Sequence, residues 1–358
     1  MNGSTNFGEF ELLRKLTETP GISGREERVR DLIIAETQGL WDESRVDPMG
    51  NLICLKRATA KPAKGKKGDA AAPQKVMLAC HTDEIGFYVR FIDEDGHLRI
   101  QNVGGFDTRN LFARRVLVQG RKDLIGVLNP GGRPVHIATD EDKKKMPEIK
   151  DFYVDLFMPA AQVRKLVEIG DPISLHQTTE MIGDSISGKA MDNRIASWVA
   201  INAIRKAGAN LKYDVCFAAC VQEEVGLRGA GTAAYGIQPD IGIAIDVTLA
   251  CDTPGVNEDE RITTFGGGAA IKVMDSASIS HRGLFEEFVR IARDKKIQHQ
   301  LEVLPRGGTD AGAIQRSRAG NKSITLSVPT RYIHTVTESV HRKDAKAAVD
   351  LLAAYLSA

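Results

Sequence analysis

Residues 214–231 read DVCFAACVQEEVGLRGAG. The stretch begins as an apolar run that predicts a buried strand. It continues into LRGAGTAAYG, which predicts a short helix. Two adjacent carboxylates, Glu223 and Glu224, stand between the two segments. Strands that alternate with helices in this way are typical of an α/β domain.

The same alternation continues through the second half of the chain. Helices are predicted at DNRIASWVAINAIRKAG, LFEEFVRIARDKK, AGAIQRSRAG and DAKAAVDLLAAYL, and strands at IGIAIDV and ITLSV. Near the N-terminus, LLRKL and REERVRDLIIAETQGL predict helices, while NLICLK and VMLAC predict strands. We therefore expect a layered α/β domain with a largely parallel sheet.

The middle of the chain has a different pattern. FYVRFIDEDGHLRIQNV contains two alternating runs around Asp-Gly, which predicts a hairpin. RRVLVQG, LIGVLNP and DPISL predict further short strands. We expect an inserted all-β domain at 87–182, with the α/β domain built from 1–86 and 183–358. The Lys- and Ala-rich stretch at about 58–75 predicts a solvated loop.

Composition narrows the classes of partner. The 358 residues carry 48 basic and 47 acidic side chains, so the formal net charge of +1 does not favour nucleic acid or a membrane as a partner. The N-terminal sequence does not resemble a signal peptide. The five cysteines form no C-x-x-C pair, which indicates buried thiols in a reducing compartment. We expect a cytoplasmic protein.

Polar residues follow the predicted strands, and ligands of open α/β sheets gather beyond the carboxyl ends of strands. His81, Asp83, Glu223, Glu224, Asp246 and His334 occupy such positions, and Asp192 opens a predicted helix. Imidazole and carboxylate groups suit a pair of divalent ions, which can share a bridging carboxylate and activate a water. Asp83 falls on the same side of an extended chain as His81, where it can orient the imidazole.

Each residue also has a plainer interpretation. A histidine after a strand is often structural, the Glu223–Glu224 pair suits a solvated turn, and Asp192 suits a helix N-cap. The residue pattern by itself leaves a dinuclear site and these alternatives open, because the residues come from distant segments.

Six motifs together resemble the tetrahedral or glutamyl aminopeptidase family of cocatalytic metallopeptidases, whose members are sometimes labelled endoglucanases. The motifs are CHTDEIGF, GKAMDNRIA, QEEVGLRGA, DVTLACDTPG, GGTDAGA and VPTRYIHT, in the family's order. The resemblance implies a metallopeptidase-type catalytic domain with an inserted PDZ-like β domain that mediates dimerisation. It also implies a tetrahedral dodecamer built from dimers, two zinc or cobalt ions per subunit, and removal of N-terminal residues from peptides.

The resemblance also assigns roles. His81 and Asp246 match ligands of one metal, Glu224 and His334 match ligands of the other, and Asp192 matches the bridging carboxylate. Glu223 matches the general base, and Asp83 matches the residue that supports His81. Glu338 falls where the family has a glutamate, and GGTDAG is expected to shape the substrate pocket.

Two other functions compete with this interpretation. Paired carboxylates also serve glycoside hydrolases, but that reading leaves the two histidines and Asp192 without a role. A non-catalytic peptide-binding scaffold would not need the complete set of ligands and base.

Overall fold

The computed structural model describes residues 7–60 and 72–357. Most of the predicted loop at about 58–75 falls on residues 61–71, which lie outside the described residues. The described part forms one large sheet with helices on both faces and a separate closed β-barrel. The chain is therefore a mixed α/β protein.

The large sheet contains eleven strands among the described residues. They are β1 (Glu43–Val46), β2 (Leu52–Lys56), β3 (Lys75–His81), β10 (Glu180–Ile182), β11 (Ser185–Gly188), β12 (Asp214–Cys220), β13 (Ile241–Leu249), β14 (Ala269–Met274), β15 (His299–Val303), β16 (Lys322–Arg331) and β17 (Glu338–His341). The main path runs β1-β2-β12-β3-β13-β16-β17-β11-β10, while β14 pairs with β15 and β16.

The four central strands, β12, β3, β13 and β16, are mutually parallel, and the strands that flank them in the main path are antiparallel. Six of the seven residues of β3 are buried, as expected of a strand covered on both faces. Parallel strands end at one edge of the sheet, so the residues that follow β12, β3 and β16 meet there. This arrangement positions the candidate site.

Nine α-helices occur in the described residues: α1 (Glu11–Glu18), α2 (Glu27–Glu36), α3 (Asp140–Lys144), α4 (Ala160–Leu166), α5 (Met191–Ala207), α6 (Arg228–Ile237), α7 (Arg282–Asp294), α8 (Ala311–Gln315) and α9 (Arg342–Leu356). The largest core packs α1, α5, α7 and α9 on one face of the sheet, and a smaller core packs α6 and α8 on the other. The helix predicted over AGAIQRSRAG stops early, because turns at Ser317 and Gly320 follow it.

The middle of the chain forms a closed six-stranded barrel in the order β4-β5-β8-β7-β6-β9. Its strands are β4 (Gly86–Ile92), β5 (Leu98–Val103), β6 (Arg114–Gln119), β7 (Asp123–Pro130), β8 (Phe152–Asp155) and β9 (Pro172–Leu175). β4 and β5 form the predicted hairpin. β10 lies inside the range expected for the inserted domain but pairs with β11 in the large sheet, and the domain boundaries stay a prediction.

Candidate active site

The seven residues singled out by the sequence lie near one edge of the large sheet. His81 ends β3, and Asp246 lies in β13 two residues beyond Ala244, which pairs with Ala79 of β3. Glu223 and Glu224 follow β12, and His334 follows β16 by three residues. The first turn of α5 brings Asp192 to the same edge. The parallel register therefore gathers side chains from five distant segments.

Asp192 stands between the two histidines. Its Oδ1 lies 3.1 Å from Nε2 of His81, and its Oδ2 lies 3.5 Å from Nε2 of His334. Two groups of metal-competent atoms share it: His81 with Asp246, and Glu224 with His334, each group lying within 4.8 Å. A carboxylate that faces two histidines with different oxygens has the geometry of a bridging ligand. Asp192 does not serve as the simple helix N-cap that was its plainer interpretation, because its side chain points at the histidines.

The adjacent glutamates point at different partners. Glu224 Oε2 lies 3.3 Å from Nε2 of His334, whereas Glu223 Oε2 lies 3.8 Å from Nε2 of His81. Both side chains are largely buried, so the pair is not a solvated turn. The chain has left the strand at Cys220, and strict alternation of faces no longer applies. The two acids can therefore serve one site from different directions.

Asp83 organises the residues around it. Its carboxylate accepts hydrogen bonds from the backbone amides of Glu223 (3.0 Å) and Glu224 (3.1 Å) and from the Ser23 hydroxyl (2.6 Å). The backbone carbonyl of Asp83 lies 3.2 Å from Nδ1 of His81, and the carboxylate lies 3.4 Å from it. A carbonyl oxygen can only accept, so this contact favours a His81 ring that carries a proton on Nδ1. The other ring nitrogen, Nε2, faces Asp192.

Comparison with known proteins identifies the family. The sequence profile described as M42 glutamyl aminopeptidase matches residues 63–351. The chain belongs to the M42 glutamyl aminopeptidase family. A relative from Acetivibrio thermocellus, whose name provisionally calls it an aminopeptidase, is 38% identical over 344 residues, covering 96% of this chain and 97% of its own.

Solved structures of aminopeptidases share the fold. The aminopeptidase APDkam598 from Desulfurococcus kamchatkensis superposes with a TM-score of 0.89 at 35% identity, covering 98% of this chain and 94% of its own. The TET1 peptidase of Pyrococcus horikoshii has a TM-score of 0.83 at 31% identity over 98% and 99% of the two chains. This M42 chain is therefore an aminopeptidase, a hydrolase that acts on peptide bonds.

The site of the aminopeptidase holds more negative charge than its own cations balance. Burial raises the pKa of Glu223 and of Asp246 well above their usual values, and neighbouring carboxylates add to the effect. Burial alone would lower the pKa of His81, but the Glu223 carboxylate and the hydrogen bond to Asp192 outweigh it and raise the pKa. Groups that draw protons in this way suit a site built to hold cations.

The donor set fits divalent metal ions. It combines two imidazoles with carboxylates, which zinc accepts and which a pair of ions can share. Glu224 Oε1 is buried without a hydrogen-bond partner among the described residues, an arrangement that metal coordination would satisfy. M42 peptidases are generally metal-dependent, and this chain carries matching groups.

A cavity of about 520 Å³ extends from these residues. Leu227, Leu249, Leu304 and Ile333 contribute apolar walls, and Gly307, Gly308 and Thr309 of the GGTDAG motif also line it. The barrel approaches the same place, since a Cβ added at Gly104 would lie 3.4 Å from Oε2 of Glu224. The site is thus a cleft with room for a peptide end.

Several buried charges near the site were not identified from the sequence. The fully buried Lys272 lines the cavity, and its Nζ lies 2.9 Å from Oε1 of Glu302. Asp310 follows the cavity-lining Thr309, and burial raises its pKa to about 7. Lys272 could have been found from the sequence, because it is the single charge in the apolar run AAIKVM, a pattern that indicates a buried charge. The sequence around Glu302, HQLEV, contains no such pattern.

Proposed function

We propose that this aminopeptidase removes N-terminal residues from peptides with the help of two divalent ions, zinc or cobalt, held at the site described above. The observation that carries the proposal is the pair of ligand groups that share Asp192. His81 and Asp246 would hold one ion, Glu224 and His334 would hold the other, and Asp192 would bridge them. When bound, such ions polarise the scissile carbonyl and acidify the attacking water.

The chain's own residues supply the remaining chemistry. Glu223 is assigned as the general base: it takes the proton from the attacking water and delivers it to the leaving amine. Its position supports this role, because its buried carboxylate lies beside the proposed ligands, with Oε2 3.8 Å from Nε2 of His81, and a general base must lie within reach of the water it deprotonates. Asp83 keeps both backbone amides of the 223–224 segment in place and orients His81. Proton transfer of this kind typically contributes about 10²- to 10⁴-fold in rate.

The proposal extends to assembly. The P. horikoshii relative is described as assembling into a tetrahedron or a large octahedral shell. We propose that this chain also forms a homo-oligomer, a tetrahedral dodecamer built from dimers, with the barrel at the dimer contact. Exposed apolar side chains on the barrel, including Phe91, Ile125 and Phe157, support a contact there.

We also propose that the protein works in the cytoplasm, because its five cysteines are free and four are buried. None of the described helices combines the length and apolar character needed to cross a bilayer. Glycoside hydrolysis is not favoured, since the family is one of aminopeptidases. A scaffold role also lacks support, because the ligand set and the base lie together.

A panel of aminoacyl chromogenic substrates tests the proposed function. The protein is assayed as purified, after removal of metals with a chelator, and after zinc or cobalt is added back separately. We expect hydrolysis of at least one aminoacyl substrate, loss on chelation and recovery with one of the ions. Cleavage of a glucan that survives chelation would instead support the glycosidase alternative.

A further inference from the structure

Glu338 touches the backbone of two of the proposed ligands at once. Its Oε1 accepts a hydrogen bond from the amide of His334 at 2.7 Å, and its Oε2 accepts one from the amide of Asp192 at 3.0 Å. The Glu338 side chain is almost fully buried. One carboxylate therefore links two segments that lie 142 residues apart in the sequence.

Both amides need an acceptor from elsewhere. His334 has φ of 65°, in the left-handed region that non-glycine residues rarely adopt. Asp192 lies in the first turn of α5 with φ of −76° and ψ of 102°, so its amide has no partner within the helix. A buried amide left without an acceptor is costly, and Glu338 supplies one to each.

The position of Glu338 is fixed independently of the site. It is the first residue of β17 and pairs with Gly188, the last residue of β11. Four residues after Gly188 the chain reaches Asp192, and four residues before Glu338 it leaves His334. The β11–β17 ladder thus holds the carboxylate at the point where both segments depart.

Asp83 and Glu338 divide the site between them. Each is a buried carboxylate that accepts from two backbone amides: Asp83 from Glu223 and Glu224, and Glu338 from Asp192 and His334. Asp83 holds the proposed base, Glu223, beside the proposed ligand Glu224. Glu338 holds the proposed bridging residue, Asp192, beside the proposed ligand His334.

We propose that Glu338 is a positioning residue that sets the separation of Asp192 and His334, and with it the affinity for the ion that Asp192, Glu224 and His334 hold. The inference rests on the proposed function. It assigns Glu338 no contact with substrate or with the ion. Outer residues that orient metal ligands typically change metal affinity by about 10- to 100-fold when they are replaced.

The test replaces Glu338 with Gln and with Asp. Glu338→Gln keeps the volume, but its amide group faces an N–H donor in either orientation, so one of the two hydrogen bonds is lost. Glu338→Asp keeps both acceptor oxygens and withdraws them by one methylene. If the Gln variant does not fold, the metal affinity of the Asp variant is compared with that of wild type instead.

The matched control is Asp344→Asn. Asp344 is also a buried carboxylate that accepts from two backbone amides, those of Gly266 and Gly268, each at 2.7 Å. It does not line the cavity described above. Asp344→Asn loses one of these two hydrogen bonds in either orientation of its amide group, so it reproduces the structural loss without touching a proposed ligand.

Metal-free proteins are titrated with Zn²⁺ and with Co²⁺ by calorimetry, and the visible absorption of bound Co²⁺ reports ligand geometry. His334→Ala identifies which binding event belongs to the Glu224–His334 site. We expect Glu338→Gln to lower the metal affinity of the Glu224–His334 site by about 10-fold or more and to alter the Co²⁺ spectrum. The affinity of the other site should fall less. Glu338→Asp should fall between, and Asp344→Asn should match wild type in both events.

A Glu338→Gln protein that binds both ions like wild type, while losing thermal stability as Asp344→Asn does, would overturn the inference. So would an equal loss of metal affinity in Asp344→Asn. Wild type that binds neither ion would refute the proposed function itself, and the inference with it.

Discussion

Replacing Asp83 with Asn tests whether this carboxylate organises the site. The substitution keeps the shape and removes one acceptor and the charge. Oδ1 accepts from the amide of Glu223, and Oδ2 accepts from the amide of Glu224 and from the Ser23 hydroxyl. Whichever way the new amide group turns, its NH₂ faces a backbone N–H. One buried amide must therefore lose its acceptor.

The expected magnitude follows from these contacts. An unsatisfied buried N–H costs about 1–3 kcal/mol. A hydrogen bond accepted by a neutral amide oxygen is weaker, by roughly 1 kcal/mol, than one accepted by a carboxylate oxygen. We therefore expect Asp83→Asn to lower the free energy of unfolding by about 2–5 kcal/mol. Misorientation of His81 should also weaken metal binding by about 10- to 100-fold, which corresponds to roughly 1.4–2.7 kcal/mol.

The assay compares denaturant unfolding of metal-free and zinc-loaded protein at one protomer concentration, together with zinc affinity measured against a competing chelator. Ser23→Ala is the control, because it removes one donor to Oδ2 and leaves the charge. It should lose stability while its zinc affinity stays within about threefold of wild type. Zinc affinity of Asp83→Asn equal to that of wild type would refute the reasoning.

Three further predictions concern charge. Lys272→Met leaves the buried Glu302 without its cation and should lower the free energy of unfolding, measured with denaturant, by about 3–5 kcal/mol. The double variant Lys272→Met/Glu302→Gln should recover most of this loss, and a double-variant loss equal to the sum of the two single-variant losses would contradict the prediction. Burial and the Asp83 carboxylate raise the pKa of Glu26 to about 7, so the contribution of Glu26 to stability is full below about pH 4.3 and lost as pH rises through about 7. The free energy of unfolding of Glu26→Gln, compared with that of wild type in denaturant melts, should therefore be more favourable to the variant at pH 8 than at pH 4. A difference between the two proteins that does not change with pH would contradict this. Zinc at 100 times its dissociation constant should add about 2.7 kcal/mol to the metal-free protein, whereas an unchanged melting curve would argue against the site.

Much of the large sheet could be predicted from sequence, because its central strands are short apolar runs that are followed by polar residues. VMLAC before His81 and DVCFAACV before Glu223 carry this pattern, and parallel strands must bring such ends together. The convergence of His81, Asp192, Glu224, Asp246 and His334 is therefore partly a consequence of topology. The roles given to these residues come from the resemblance and remain proposals.

Other features depend on contacts that leave no local pattern. β17 has only four residues, ESVH, and it pairs with β11, which is distant in the sequence. These four residues alone could not show that the Glu338 carboxylate accepts hydrogen bonds from the backbone of two proposed ligands. The buried Lys272–Glu302 pair joins β14 to β15. The apolar run around Lys272 indicates burial, but no local pattern shows that Glu302 is its partner. Closure of the barrel depends on the pairing of β4 with β9, whose partner residues are 84 to 88 positions apart in the sequence. In each case the outcome was decided by long-range pairing rather than by local propensity.

The central claim is that Glu223 moves the proton while other residues hold the ions. The measurement that tests it most directly is metal content and turnover of Glu223→Gln, made on the same sample with the best aminoacyl substrate. We predict two ions per subunit, as in wild type, with kcat reduced by about 10²- to 10⁴-fold. Full turnover, or loss of the ions together with the activity, would contradict the assignment of Glu223 as the base.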